Sequence, residues 1–240
     1  MSRVPTSYQI ATIKIMSGYS KETAEGYSAI RGGITVIERD TFSVFHSLGI
    51  KNKDILDFGC GDGYYSIKLI NEGAHNVTGI DGSPTMIELA EKKHLHENIT
   101  YINTDGNSLP LLDESFDIVF VNFVLQHFKD SLQPLKEIHR VLKKDGSLLL
   151  VLPISKVKRD ELVNTEISMR LGDSVIVHNF IKTKEVIDSE LVKTGFTIKS
   201  IKEVEEPDAV IDSSYLHKND IESIKAVIYW AQKQSGSKLA

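Results

Sequence analysis

An aspartate stands two positions before a run of closely spaced glycines, in the stretch Asp57-Phe58-Gly59-Cys60-Gly61-Asp62-Gly63. The apolar residues before it predict a buried strand, so the glycines form a turn between a strand and a helix. Glycine adopts positive φ and lets a ligand approach the backbone closely. Ligands of open parallel sheets bind at the carboxyl ends of the strands. We therefore expect a ligand against this turn.

The residues around the glycines exclude two common phosphate-binding loops. A dinucleotide fingerprint needs a glycine at its sixth position, where Tyr64 stands when counted from Gly59 and Ser66 when counted from Gly61. A P-loop needs Gly-Lys-Ser or Gly-Lys-Thr, which does not follow here. The Asp57 carboxylate would repel a pyrophosphate, and it suits a ligand that carries an ammonium or sulfonium cation.

Short apolar runs alternate with helical segments from Lys53 onward, which predicts a parallel sheet wrapped by helices. Ser83-Pro84 marks one helix start, and another helix should run from Asp130 or Ser131 through Leu142, with Lys143 and Lys144 at its end. Two β-rich segments near the C-terminus, 196–204 and 224–230, predict a hairpin. The predicted parallel strands are 54–58, 76–80, 99–103, 116–123 and 146–152.

Polar residues follow the next three predicted strands, at Asp81, Asp105 and Asn122. Together with the glycine turn, these landmarks resemble the class I S-adenosylmethionine-dependent methyltransferases, of the small-molecule, type 11-like kind. The resemblance covers about residues 19 to 200. It implies an α/β fold: a Rossmann-like three-layer αβα sandwich whose seven-stranded, mostly parallel sheet has an antiparallel C-terminal strand.

The resemblance also implies how S-adenosyl-L-methionine, and the product S-adenosyl-L-homocysteine, would be held. The Asp81 carboxylate would accept the ribose hydroxyls, Asp105 would receive the adenine amino group, and Asn122 would line the methionine end. Arg31 is either a partner of the methionine carboxylate or a surface arginine. The full predicted cofactor set is Tyr27, Arg31, Asp57, Gly59, Gly61, Asp81, Gly82, Met86, Asp105, Gly106 and Asn122.

Acceptor binding and proton transfer are assigned to fewer residues. His127 follows the fourth strand, and it is either a general base beside the transferring methyl or a histidine bonded to its own loop. His178 resembles a position that contacts substrate. Tyr19 and Tyr27 belong to a segment like the family's N-terminal cap, with serines where aspartates are common. The predicted catalytic residues are His127 and His178, and the predicted substrate contacts are Tyr19, Tyr27, Phe123, His127 and His178.

The amino-acid composition limits the kinds of binding partner and the cellular compartment that we expect for this protein. The net charge of -5 gives no general attraction to nucleic acid, and no apolar run approaches the roughly 20 residues of a membrane helix. The single cysteine, Cys60, permits no internal disulfide. We expect a cytoplasmic protein without a metal site, a nucleic-acid partner or a membrane partner, present as a monomer or homodimer.

One domain is expected over the whole chain. Residues 1–50 would form a helical cap, 51–153 the cofactor core, 154–180 an insertion beside the substrate pocket, and 181–240 a C-terminal helix and strands. The cap and the insertion suggest an enclosed pocket for a small metabolite. The residues do not indicate the accepting atom, and we expect transfer to an oxygen or nitrogen by direct in-line displacement. A protein methyltransferase and a non-catalytic cofactor-binding module remain alternatives.

Overall fold

A computed structural model describes residues 36–155, 165–171, 175–204 and 224–234. Along the chain these form α1 (Val36–Leu48), β1 (Asp54–Phe58), α2 (Tyr64–Asn71), β2 (Asn76–Asp81), α3 (Pro84–Lys93), β3 (Ile99–Asn103), β4 (Phe116–Asn122), a 3-10 helix (Leu125–His127), α4 (Leu132–Val141), β5 (Leu142–Ser155), β6 (Thr165–Leu171), β7 (Val175–Thr183), α5 (Lys184–Lys193), β8 (Phe196–Val204) and β9 (Ile224–Lys233).

The main sheet has the strand order β3-β2-β1-β4-β5-β9-β8. The first five strands are parallel, whereas β9 runs antiparallel to both β5 and β8. The order reverses between β1 and β4, and the carboxyl ends of all five parallel strands share one edge. Within the described residues, the predicted sheet of seven strands with an antiparallel C-terminal strand is confirmed.

Alternating side chains of the buried strands divide the core between the two faces of the sheet. Leu148, Leu150 and Leu152 of β5 pack on one face with Leu135 of α4 and Leu191 of α5. The intervening Leu149 and Val151 pack on the other face, against apolar residues of α1 and α2 such as Phe45 and Leu69. The strands are covered on both faces, as parallel strands require. The layers are therefore helix, sheet and helix, as predicted.

The predicted insertion 154–180 contains strands of its own. β6 and β7 form an antiparallel hairpin, and Lys182 and Thr183 of β7 pair in parallel with Ile154 and Ser155 of β5. Because β9 occupies the opposite edge of β5, β7 lies on the β4 side, just beyond the point where β4 ends. β7 also packs against the 3-10 helix that follows β4. The hairpin thus stands at the carboxyl edge of the sheet.

The prediction of Lys143 and Lys144 at a helix end is wrong. α4 ends at Val141, and Leu142 already has extended backbone angles, so both lysines belong to β5. The Lys143 Nζ donates to Asp117 Oδ2 at 2.8 Å and to Asp54 Oδ2 at 3.3 Å. These carboxylates at the amino ends of β1 and β4 hold the lysine more effectively than a helix dipole would.

Candidate functional site

The glycine turn is tied to the neighbouring strand by its backbone. Gly59, Gly61 and Gly63 have φ values of 79°, 55° and 81°. The amides of Gly59 and Cys60 both donate to the carbonyl of Ile80, at 2.7 and 2.8 Å. A Cβ on Gly59 would lie 2.3 Å from Val124 Cγ2, so this position needs glycine for space as well as for φ. The turn is held against the carboxyl end of β2.

Asp81 connects the turn to the start of α3. Its Oδ2 accepts from the Gly61 amide at 3.0 Å, and its Oδ1 accepts from the Ser83 amide at 2.8 Å. Each carboxylate oxygen can accept a second hydrogen bond, so both stay usable by a ligand. Burial raises the pKa of Asp81, and the two amide donors oppose that change. The ligand hydroxyls expected here would meet an acceptor already fixed in place.

The turn lies in a negative field. Asp57 is 2% exposed and accepts from the Ser66 hydroxyl at 2.7 Å. Burial, reinforced by the charges of Asp57, Asp81 and Asp62, raises the pKa of the Cys60 thiol well above its usual range. Such a field favours a cationic ligand over a phosphate. A direct ligand contact by Asp57 stays a prediction, because its described partner is inside the fold.

The next loop along the edge brings Asp105 beside Asp81. The Thr104 amide donates to the Asp81 carbonyl at 3.0 Å, which joins the tips of β2 and β3. Asp105 Oδ1 accepts from the Asn107 amide at 2.9 Å in a local turn. At Gly106, with φ 79°, an added Cβ would lie 2.7 Å from Phe58 Cζ. The loop is therefore packed against Phe58 of β1 and hydrogen-bonded to the end of β2.

Residues of the α3 entry complete this side of the site. Gly82 joins Asp81 to the helix cap Ser83, whose hydroxyl accepts from the Met86 amide at 3.3 Å. The Met86 side chain is buried. The structure thus places Asp57, Gly59, Gly61, Asp81, Gly82, Met86, Asp105 and Gly106 at the adjacent carboxyl ends of β1, β2 and β3.

The carboxyl end of β4 has a strained backbone. Asn122 ends the strand, and Phe123 follows with φ 54°, a left-handed conformation that is unusual for a bulky residue. The Phe123 amide donates to the Val151 carbonyl at 2.8 Å, and the Phe123 carbonyl accepts from Gln126 Nε2 at 2.7 Å. Strain of this kind concentrates at functional sites. Asn122, Phe123 and the partly exposed His127 follow one another at the carboxyl end of β4, and Val124 between them packs against Gly59 of the turn.

For several predicted site residues, the side chain lies outside the part of the chain that the structure describes. Tyr19, Tyr27 and Arg31 lie outside the described residues. The His178 backbone lies on β7 opposite Ser168, and its side chain is outside the described part. Conversely, sequence reasoning missed Ser66 and Gln126. Ser66 had no signal beyond its place on the helix after the turn, and Gln126 stood unnoticed beside His127.

Two expected absences can be examined in the described ranges. No group of three or more His, Cys, Asp or Glu residues there is arranged to hold a metal ion. Nor is any helix there long and apolar enough to cross a bilayer.

Residues 56–150, which include the glycine turn and all three strand-end landmarks, match the model of the methyltransferase domain family. Over this core the chain is similar to the methyltransferase domain family. The identification as a class I S-adenosylmethionine-dependent methyltransferase from sequence is confirmed at this level, and its α/β core is the described fold.

Curated relatives of this methyltransferase core share the same part of the chain. A demethylmenaquinone methyltransferase from Lactobacillus johnsonii is 40% identical over 111 residues, which are 43% of this chain and 46% of the relative. One from Chlorobaculum parvum is 34% identical over 106 residues, which are 44% of this chain and 43% of the relative. The match therefore spans less than half the length of these relatives.

Solved structures show the same fold over more of the chain. An S-adenosylmethionine-dependent methyltransferase from Mesorhizobium loti is 20% identical, with a TM-score of 0.59 over 80% of this chain and 97% of its own. The (4+2)-cyclase SpnF is 18% identical, with a TM-score of 0.72 over 98% of both chains. At this identity the likeness concerns the fold, which does not decide the reaction.

Proposed function

We propose that this methyltransferase-family chain uses S-adenosylmethionine to methylate an oxygen or nitrogen of a small metabolite. The observation that carries the proposal is the acid-flanked glycine turn. There Asp81 accepts from the Gly61 amide at 3.0 Å, the buried Asp57 carboxylate lies at the end of β1, and Asp62 within the loop is paired with Lys93 Nζ at 3.3 Å. This arrangement combines an acceptor for hydroxyl groups with a field that attracts a cation.

The donor chemistry of the strand ends fits that cofactor. Carboxylates such as Asp81 accept from vicinal hydroxyls, and the Asp105 carboxylate can accept from an exocyclic amine. Asn122, at the end of the neighbouring strand β4, would line the methionine end. The bound cofactor supplies a methyl group already activated by a sulfonium centre.

Transfer then depends mainly on positioning. The acceptor atom forms a bond to the methyl carbon as the bond from that carbon to sulfur breaks, and the sulfur keeps the electron pair. Alignment of this kind can supply most of the acceleration. An acceptor that carries a proton must lose it, and His127, partly exposed at the carboxyl edge, would take it. His178 and Phe123 would contact the acceptor.

The relatives suggest the first acceptor to test. The sequence matches include demethylmenaquinone methyltransferases at 34 to 40% identity over the core. A demethylmenaquinone in its reduced form offers both phenolic oxygens and a free ring carbon, so it is a rational first test of which atom accepts the methyl group, followed by a cell metabolite extract. Product NMR assigns the methylated atom, and a methyl group on carbon would contradict the oxygen or nitrogen assignment.

Cofactor binding is the first experiment. Calorimetry with S-adenosylhomocysteine should show that Asp81→Asn weakens binding by roughly 10- to 150-fold, because charged hydrogen bonds are lost. Glu88→Gln, which neutralises an exposed acid in the middle of α3, should bind like the unchanged protein. Equal affinities for the two variants would contradict the ribose assignment.

Labelled-methyl transfer is the second experiment. Label in a small-molecule fraction supports the proposal, whereas label only in proteins would identify a protein methyltransferase. Cofactor binding without transfer to any fraction would favour a non-catalytic binding module.

A further inference from the structure

Gln126 has a buried hydrogen-bond acceptor with no partner in the described structure. The residue is 7% exposed, and its Oε1 is one of four buried side-chain atoms without a partner among the described residues. The other three are Thr41 Oγ1, His139 Nε2 and Glu190 Oε2, on α1, α4 and α5. Among these four, Gln126 lies on the 3-10 helix at the carboxyl edge of the sheet.

The other end of the same amide fixes its orientation. Gln126 Nε2 donates to the Phe123 carbonyl at 2.7 Å, and a carbonyl can only accept, so the nitrogen must face Phe123. The amide oxygen therefore points away from that bond. Phe123 is the strained residue with φ 54°, directly after Asn122. Gln126 thus braces the strained turn with its donor and leaves its acceptor open.

The surroundings make a bound molecule the natural donor for this oxygen. The 3-10 helix that carries Gln126 lies between the end of β4 and the β6–β7 hairpin, because β7 packs against it. This is the edge where the glycine turn and Asp81 stand. Buried acceptors normally have a donor, and those that lack one in the protein alone are explained by water or ligand.

We propose that Gln126 is a ligand-positioning residue whose Oε1 accepts a hydrogen bond from an N–H or O–H group of the bound cofactor or methyl acceptor. The inference rests on the proposed function and adds a residue to it. The same contact would couple ligand binding to the backbone at Phe123, because the Gln126 side-chain amide would bond to the ligand through Oε1 and to the Phe123 carbonyl through Nε2. A ligand donor at Oε1 therefore also secures the position of Phe123.

The test compares Gln126→Met with Thr41→Val. Gln126→Met keeps the length of the side chain and removes the amide, and Thr41→Val removes another unpaired buried oxygen, on α1. Affinity for S-adenosylhomocysteine is measured by calorimetry. The methyl acceptor is titrated as dilutions of the metabolite extract, with labelled methyl transfer as the readout, and melting temperature is recorded for both variants.

A donor on the cofactor predicts that Gln126→Met weakens S-adenosylhomocysteine binding by roughly 3- to 10-fold, with the half-saturating extract dilution unchanged. If the hydrogen-bond donor is on the methyl acceptor, S-adenosylhomocysteine affinity should be unchanged. The half-saturating amount of extract should then rise by roughly 3- to 10-fold, with a smaller change in the maximal rate. Thr41→Val should change neither. Gln126→Met with a lower melting temperature but unchanged affinity and half-saturation would overturn the proposal and leave Gln126 a structural brace.

Gln126→Glu adds a readout that a purely structural brace would not move. Burial raises the pKa of a carboxylic acid, and a protonated glutamate offers the same donor and acceptor as glutamine. Whichever of the two readouts Gln126→Met alters, cofactor affinity or half-saturation by the extract, should in Gln126→Glu return toward the value of the unsubstituted protein as pH falls. In Gln126→Met it should not. If the unchanged protein bound no S-adenosylhomocysteine, the proposed function itself would fail, and this inference with it.

Discussion

The two halves of the carboxyl edge are built differently. On the half formed by β1, β2 and β3, polar side chains accept hydrogen bonds from backbone amides, as Asp81 does from Gly61 and Ser83. On the half formed by β4, β5 and β7, Phe123 is strained, Gln126 Oε1 has no described partner, and an added hairpin stands over the strand ends. The first half, called the cofactor half because the proposed function places S-adenosylmethionine there, is preorganised. The second half, called the acceptor half, retains a buried acceptor that no described residue satisfies.

The halves also differ in what anchors them. The glycine turn is held by backbone hydrogen bonds to Ile80 and by close packing against Val124. The base of the hairpin is held by a buried ion pair, in which Lys182 Nζ donates to Glu190 Oε1 at 2.7 Å and to Ser131 Oγ at 2.6 Å. Positive φ and close packing, rather than the backbone bonds, restrict the residue at Gly59. The base of the hairpin depends on charged side chains, which a substitution can remove.

Breaking the anchor of the acceptor half should have the largest effect. Lys182 is 3% exposed, so Lys182→Met leaves the Glu190 carboxylate buried without its cation, and we expect a loss of about 3 to 5 kcal/mol in the free energy of unfolding. Urea denaturation measures it. Lys184→Met is the matched control, two positions after Lys182. It breaks a partly exposed ion pair with Asp188 and should cost about 0.5 kcal/mol or less.

A second variant separates the missing charge from the missing side chain. In Lys182→Met/Glu190→Gln the buried carboxylate is gone, so the double variant should be more stable than Lys182→Met alone. If the single variant lost no more than Lys184→Met, the ion pair would not anchor the hairpin, and the contrast between the halves would be reduced to their backbones.

The same contrast explains what could be predicted from sequence. The glycine turn and the strand ends at Asp81 and Asp105 were predictable because turn chemistry and strand periodicity are local. Strand β5 was predicted too short, since Pro153 reads as a terminator although it pairs with Ala226 of β9 in the structure. The hairpin was predicted only as an insertion. The positive φ of Phe123 and the open acceptor of Gln126 depend on tertiary contacts that no local pattern contains.

On the cofactor half, Gly59→Ala tests whether space as well as conformation fixes the turn. Positive φ disfavours alanine, and its Cβ would clash with Val124, so we expect a loss of about 2 to 4 kcal/mol in the free energy of unfolding. Gly49→Ala is the matched control, because Gly49 has φ 70° and nothing within 4 Å of an added Cβ. It should cost about 1 kcal/mol.

The difference between the two alanine variants isolates the clash. In a Val124→Ala background the additional cost of Gly59→Ala should shrink toward that of Gly49→Ala, because the clashing methyl groups are gone. An unchanged additional cost in that background would show that the turn is limited by conformation alone.

The smallest effect is expected at His139, a buried residue away from the carboxyl edge. It is 5% exposed, packs edge-on against Phe196 with the ring centroids 5.4 Å apart, and its Nε2 has no partner among the described residues. Burial, helped by the positive charge of Lys233, lowers the pKa of His139. The unfolded chain therefore binds this proton more readily than the folded one, and stability is lost as pH falls below about 6.5.

His139→Phe keeps the ring packing and removes the proton site. Urea denaturation between pH 8 and pH 5 should show a shallower decline for the variant, by at most about 1.4 kcal/mol per pH unit for one proton. Cofactor affinity should be unaffected, since His139 packs against Phe196 at the start of β8 rather than at the carboxyl edge. Equal pH slopes for the two proteins would mean that His139 is solvated when protonated. A loss of cofactor affinity in His139→Phe would mean that a buried atom without a partner does not by itself mark the ligand edge. That result would remove one support for the role given to Gln126.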